Sequence, residues 1–359
     1  MRIGIVTQPL EMNYGGILQN WALQQVLKRL GHDPITIDAY ERFSTPHYVF
    51  NYMRAWCKRL LGNQCYYPRR YRGSMRSENT GRFIENHIVK TPVMWDYKSS
   101  VVKKYGLDAI VVGSDQVWRY SFNRFHYEQM YLKFAVKTNL KKRVAYAASF
   151  GKDNWECPPE RTTECAALAK MFDAISVREE SGIKLSQDYL GVDAVKVLDP
   201  TLLLASEDYD EVIDKEWKSE EPYLAVYCLD ITPVKEAFFN QLAKEHGLKV
   251  LCFSSGWTET LTVEQWLAIF NNASMVVTDS FHGTVFSIIF GKAFYSLSNS
   301  HRGNTRIEGL LNQLGLEKRL VSDTEPKEPD NREINWENAY ARLNELRKSS
   351  MDFLTDNLK

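Results

Sequence analysis

"NYGGILQNWALQ", residues 13 to 24, sets two glycines behind a tyrosine and runs straight into an apolar repeat at helical spacing. Ahead of it, Ile3 to Thr7 is a short apolar run that reads as a buried strand, bounded by polar residues and Pro9. Behind it, Leu18, Ala22 and Val26 share one stripe with Leu23, Leu27 and Leu30 beside them, so the spacing predicts an amphipathic helix over 17–30, ended by Gly31. Asp33-Pro34 then turns the chain into a second strand, ITID at 35–38. The opening unit is therefore strand, glycine loop, helix, strand. Glycines at such a junction let backbone N–H groups approach an anion at the positive end of a helix. Asp38 follows at the distance of a ribose-binding acid, which suggests a dinucleotide. That fingerprint needs three spaced glycines, and only Gly15 and Gly16 are present. Asn13, Tyr14, Gln19 and Asn20 read instead as hydrogen-bonding residues aimed at a polyol, with a ligand-free tight turn as the alternative.

The chain has 359 residues, with 45 basic and 45 acidic side chains. That length suggests two domains, and the neutral balance offers no global attraction to nucleic acid. Apolar residues make up 44% and aromatics 13%, enough for two ordinary cores and too many for a disordered chain. Cysteines 57, 65, 157, 165, 228 and 252 form no C-x-x-C pair, which predicts free buried thiols and no structural zinc. No segment reaches the roughly eighteen apolar residues that a membrane span requires, so the expected location is the cytoplasm.

Residues 41–105 break the pattern and read as an irregular aromatic insertion in a first domain over 1–205. Between Arg54 and Arg82 there are eight Lys or Arg residues and one acid, Glu78, interleaved with Trp56, Tyr66, Tyr67 and Tyr71. This composition suits an anionic bilayer surface, contacted peripherally through 54–82 at the inner face of the membrane. Single-stranded nucleic acid would use the same chemistry, and a solvated helical face is the plain alternative. Strands return at 108–113, 143–149, 174–177 and 195–198, alternating with helical segments in the manner of a parallel sheet covered on both faces. A second series, with strands at 223–229, 249–253, 275–278 and 293–297, predicts another α/β domain over 206–335. The acid-rich stretch 204–222 is the candidate link. A helix within 336–359 is expected to cross back to the first domain.

Ligands of open parallel sheets bind beyond the carboxyl ends of the strands, so the residues after each strand carry the chemistry. In GSDQVW, 113–118, Asp115 is a candidate base or a helix cap, and Trp118 a flat surface on which a sugar ring could stack. In SVREESG, 176–182, Arg178 can hold carboxylate or phosphate through two parallel hydrogen bonds, or form a surface ion pair with Glu179 or Glu180. In VVTDSFHGTVFSIIFG, 276–291, Asp279 or Ser280 can cap a helix whose first turn holds His282 and Gly283. The helix field there favours an anion and lowers the imidazole pKa, leaving a group able to move a proton near neutrality. The loop SHRGNTR adds Arg302, Asn304 and Arg306.

These stretches, together with AYAASFG at 145–151 and VLDPTLLL at 197–204, resemble the polysaccharide pyruvyl transferase family, in the family's order and over most of the chain except 41–105. The resemblance implies two Rossmann-like domains, parallel sheets with helices on both faces, facing across a cleft in the GT-B manner. It implies transfer of the pyruvyl group of phosphoenolpyruvate to a sugar of a cell-surface polysaccharide or its lipid-linked precursor, as a ketal, with no redox cofactor and no metal. On that pattern Arg178 and Arg306 clamp the donor, assisted by Arg302, Asn304, Ser280 and the helix start at Gly283. His282 is the general acid or a phosphate ligand. Asn13, Tyr14, Gly15, Gly16 and Gln19 line the facing wall, with Asp115 and Trp118 near the acceptor. Ser280-Phe281-His282 stands where the family often carries Arg-Leu-His, so either another cation replaces that arginine or the donor differs. The competing readings are a GT-B glycosyltransferase using a nucleotide sugar and a non-catalytic sugar- or anion-binding relative.

Overall fold

The structure is a computed structural model and describes residues 1–40, 45–60, 77–253, 261–299, 304–327 and 333–359. Its first sheet has six parallel strands in the order Asp33–Thr36, Arg2–Val6, Ala109–Val112, Lys142–Ala148, Ala174–Val177, Val195–Lys196. The second has five, ordered Lys249–Cys252, Tyr223–Tyr227, Met275–Thr278, Ala293–Leu297, Leu320–Val321, again all parallel. In both sheets the first strand in sequence lies between the second and third. The order therefore reverses there, and that is where a doubly wound sheet opens a crevice. Helices cover both faces, which is why the strands are apolar on both sides: Ala109–Val112 and Met275–Thr278 are buried throughout.

The helix Tyr14–Arg29 follows the first strand as its spacing requires. It is buried on more of its surface than one amphipathic stripe accounts for, because it is sandwiched between lobes. Trp21 packs 5.3 Å from Tyr209, whose ring lies 5.2 Å from Phe286 of the second lobe. One hydrophobic core thus runs from Ile3 and Trp21 through Tyr209 to Trp266 and Phe286. The stretch 204–222 read as a link is consequently part of the packing: Tyr209 is fully buried and donates to the Thr201 carbonyl at 2.9 Å.

Of the stretch 41–105 expected to be irregular, 41–44 and 61–76 lie outside the described residues, and the rest carries regular elements. Helices Thr45–Leu60, Glu78–His87 and Ser100–Lys104 fall within it. Ser77 caps the second of these by accepting from Thr80 N at 3.1 Å, and the capped helix buries Phe83 and Ile84 in the main core. Ala39–Tyr40 also pairs with Met94–Trp95, so the region is tied to the first lobe at both ends. The last helix, Trp336–Asn357, touches both lobes. Tyr340 donates to the Ile288 carbonyl at 3.0 Å, and Arg347 donates to the carbonyls of Leu202 and Leu204 at 2.6 and 2.7 Å. Of the cysteines, 157, 165 and 228 are buried and Cys252 is half-buried; Cys57 is exposed on its helix, contrary to expectation, and Cys65 lies outside the described residues. Among the described residues no helix is long and apolar enough to cross a membrane.

Candidate active site

Strand ends from both sheets converge on one carboxylate. Asp199 follows Val195–Lys196 and is almost completely buried. Its Oδ1 accepts from Thr201 N at 3.0 Å and Thr201 Oγ1 at 2.7 Å. Its Oδ2 accepts from Arg178 Nη1 at 2.5 Å and Ser114 Oγ at 3.3 Å, and stands 3.8 Å from His282 Nε2. Arg178 begins the turn after Ala174–Val177; its Nη2 is also 3.6 Å from Asp115 Oδ1. Its guanidinium lies 4.7 Å from the Phe281 ring centroid, and that of Arg306 lies 5.8 Å from the same ring. One second-lobe phenyl ring therefore carries two cations, one from each lobe.

His282 reaches this cluster from the first turn of the helix Phe281–Ile289. A Cβ built on Gly15 would sit 2.1 Å from His282 Nδ1, so the imidazole packs directly on the backbone of the opposite lobe. This is what the glycine pair accommodates: Gly15 leaves room for a histidine. Gly16 serves the neighbouring contact, since a Cβ there would lie 3.0 Å from Asn13 Nδ2 and 3.3 Å from Asp115 Oδ2.

The electrostatics follow from burial. Burial lowers the His282 pKa, with Arg178 and Arg306 in the same direction and Asp199 opposing, so the resting imidazole is neutral near pH 7. Burial alone would raise the Asp199 pKa, but Arg178, His282 and the Thr201 donors outweigh it and hold the carboxyl below its ordinary range. Burial lowers the Arg306 pKa to about 10, with Arg178 adding to the effect, and the group stays a cation at neutral pH. Of the buried side-chain polar atoms that make no hydrogen bond among the described residues, four belong to this cluster: Arg178 Nε and Nη2, Glu179 Oε2 and His282 Nε2. Such atoms cost about 1–3 kcal/mol each unless something else meets them, and two of the residues that carry them, Arg178 and Glu179, line a narrow cavity together with Asp199, Phe281 and Arg306. The cavity holds about 20 Å³, enough for a water.

A roomier cavity of about 230 Å³ opens on the other side of Asp115, lined by Gln8, Glu11, Asn13, Gln116, Phe122, Asn123 and His126 among others. Phe122 presents a partly exposed ring with the Arg119 guanidinium 4.2 Å from its centroid.

The geometry corrects some expectations, agrees with others and places the remaining residues. Trp118 cannot stack on a sugar: it is 1% exposed, lies parallel to Tyr131 at 5.0 Å and donates to the Met130 carbonyl at 3.2 Å. Gln19 is fully buried, donating to Thr7 Oγ1 and Gly16 O at 2.9 Å each and accepting from Ser114 N at 3.0 Å, so it braces the two glycine turns. Tyr14 donates to the Leu261 carbonyl of the second lobe at 2.7 Å and latches the lobes together. Gly283 is required by packing, since a Cβ there would sit 2.1 Å from Thr278 Oγ1. Ser280 is the helix cap, accepting from Gly283 N at 3.5 Å. Asp279 instead meets Lys235 Nζ at 2.7 Å and the backbone N–H of Leu229. Asn304 braces its loop by accepting from Asn299 N at 2.5 Å. Asp115 caps no helix; it sits at φ 73° with its carboxylate toward Arg178 and the roomier cavity. Asp38 is buried 3.4 Å from Lys90 Nζ. Asn13 stays exposed on the cavity wall, and Arg302 lies outside the described residues.

Two residues that matter escaped the motif reading. Asp199 stands inside VLDPTLLL, where an acid directly after a strand was the available signal. Glu179 is not a surface partner of Arg178: its Oε1 accepts from Ser149 Oγ at 3.0 Å and Phe150 N at 2.7 Å, leaving Oε2 toward the cluster.

Two Rossmann-like lobes with an arginine, histidine and carboxylate cluster between facing strand ends define a GT-B-like α/β enzyme. The fold is similar to that of the S. aureus MnaA–UDP structure, at TM-score 0.50 and 12% identity over 99% of this chain and 91% of that one. The Streptomyces sp. SF2575 glycosyltransferase SsfS6 with thymidine diphosphate is similar at TM-score 0.48 and 11% identity over 99% and 98%. The UDP-GlcNAc 2-epimerase of Methanocaldococcus jannaschii follows at 0.47 and 12%, over 97% and 93%. No curated protein sequence matches significantly. The sequence model of the polysaccharide pyruvyl transferase family matches residues 13–301, and the chain belongs to that family: it is a transferase.

Proposed function

We propose that the protein moves the pyruvyl group of phosphoenolpyruvate onto two hydroxyls of a saccharide, free or lipid-linked, within the synthesis of a cell-surface polysaccharide. The observation that carries this reading is the set of unsatisfied groups, Arg178 Nε and Nη2 with His282 Nε2, converging beside Arg306 between the lobes. A planar guanidinium edge suits a carboxylate or phosphate, and an imidazole beside it can deliver a proton. Arg178 and Arg306 hold the donor; they replace the cation that Ser280 does not supply.

Donor methylene carbon takes one proton from His282, which makes the adjoining carbon electrophilic. A sugar hydroxyl attacks that carbon as Asp115 accepts its proton, and the carbon–oxygen bond to phosphate breaks. A second hydroxyl closes the ketal, its proton leaving with inorganic phosphate. The resting imidazole is neutral, and the approaching donor's negative charge raises its pKa, so the acid is charged by the substrate it serves. No redox step is involved. The 20 Å³ cavity is too small for a three-carbon phosphate ester, so donor entry requires Phe281 and Arg306 to draw back from Arg178. The cavity containing Asn13, Phe122 and His126 takes the acceptor, with the Phe122 ring as the sugar platform. A donor drawn from central metabolism places the protein in the cytoplasm.

A thermal-shift panel tests the donor. Phosphoenolpyruvate at a hundred times its dissociation constant adds about 2.7 kcal/mol of stability. The shift should vanish in Arg178→Ala and His282→Ala, and saccharide should release inorganic phosphate from phosphoenolpyruvate. Stabilisation by a nucleotide sugar alone would replace this reading with glycosyl transfer. Binding without phosphate release would mark a non-catalytic relative.

A further inference from the structure

The helix Thr45–Leu60 turns its apolar stripe away from the protein. Val49, Met53, Trp56 and Leu60 are spaced four, three and four residues apart, which places them in one line along the helix. They are 47%, 59%, 52% and 67% exposed, with Phe50 at 65% beside them, while Ala55 faces inward and is buried. A stripe that would normally seal a helix to a core instead forms an open apolar surface, and such surfaces mark interaction sites. Arg54 and Arg59 flank the stripe on opposite sides, and Lys58 completes the polar face. The helix contains no acid.

We propose that this helix docks in the plane of an anionic lipid surface. Charge selects that occupant. Between Glu41 and Glu78 the sequence carries cations at 42, 54, 58, 59, 69, 70, 72 and 76 and no acid, in a chain whose formal charge is zero. Apolar rings and thioether enter the headgroup boundary while the flanking cations meet phosphate. With Arg54, Lys58 and Arg59 inside its described length, the helix is too charged to span a bilayer and lies along the surface. A second copy of the chain is disfavoured, because symmetric pairing of this face would bring two cationic segments together. The chain enters this helix from Ala39–Tyr40, and Tyr40 donates to the carbonyl of Leu10, between the cavity-lining residues Pro9 and Glu11. The docking argument stands on the helix and on the charge of the sequence around it, and not on the identity of the donor.

Co-sedimentation of the full chain with vesicles tests it, using phosphatidylcholine alone and phosphatidylcholine mixed with phosphatidylglycerol. Partitioning to the mixed vesicles should exceed that to the neutral ones at least about tenfold and fall with added salt. It should be lost in Met53→Glu/Trp56→Glu and in Arg54→Glu/Lys58→Glu/Arg59→Glu, with melting temperature and turnover of a soluble acceptor unchanged. Equal partitioning to both vesicles, or to neither, overturns the proposal. So does a dimer in analytical ultracentrifugation that Trp56→Glu dissociates.

Discussion

His282 of the second lobe occupies the space that a side chain on Gly15 of the first would need: a Cβ there would fall 2.1 Å from the imidazole Nδ1. Gly15 lies within the first turn of Tyr14–Arg29, so its role is close approach and not an unusual backbone conformation. The contact registers one lobe against the other and sets the imidazole beside Asp199.

Gly15→Ala separates this account from a simple turn. In a helix free of neighbours the change should stabilise by about 0.5–1 kcal/mol. Here it should lower the melting temperature and cut turnover by about a hundredfold, because the imidazole is displaced from its position. Calorimetry and steady-state kinetics read both effects, and a stabilised, active variant would remove His282 from the argument.

Asp199→Asn keeps shape and removes charge. Arg178 then loses its 2.5 Å partner in a buried setting, so stability should fall by about 3–5 kcal/mol. In the folded fraction the His282 pKa should fall further, since Asp199 is the main group opposing the effect of burial. Histidine proton resonances followed against pH would report the change.

Acid should destabilise the protein from the ordinary histidine range downward. The folded-state pKa of His282 lies below its unfolded value of about 6.5, so between the two the unfolded chain binds more protons. Stability from this group is complete above about pH 6.5 and declines as pH falls toward the folded-state value. His282→Gln should flatten that part of the curve. Asp199, depressed in the same sense, adds a loss at lower pH. For catalysis the sign is opposite: if His282 donates a proton, kcat/KM should fall as pH rises past the free-enzyme pKa, and a rising limb there would assign it the role of base.

Trp118→Ala and Phe122→Ala should have different consequences. The buried indole, stacked on Tyr131, costs about 3–5 kcal/mol when removed, with acceptor KM unchanged in the surviving enzyme. Loss of the cavity-facing Phe122 ring should leave stability within about 0.5 kcal/mol and raise acceptor KM without altering donor KM. Reversal of the pattern would return the sugar platform to Trp118.

Alternation of apolar runs with helical spacing was enough to read two parallel-sheet lobes, because a strand covered on both faces must be apolar at every position, as AIVV and MVVT are. The same logic placed Arg178, His282 and Asp115 at strand ends, where ligands of such sheets bind. Sequence could not say which polar residues there face solvent and which brace the turns. Gln19 and Trp118 have the same local signature as cavity residues, and only the packing of neighbours distant in the chain buries them. Asp199 acquires its importance from Arg178 and His282, which come from different strands and different lobes. Local periodicity is written in consecutive residues and so is legible in the chain; the meeting of an imidazole with a glycine backbone depends on how two lobes dock, which only the assembled core decides.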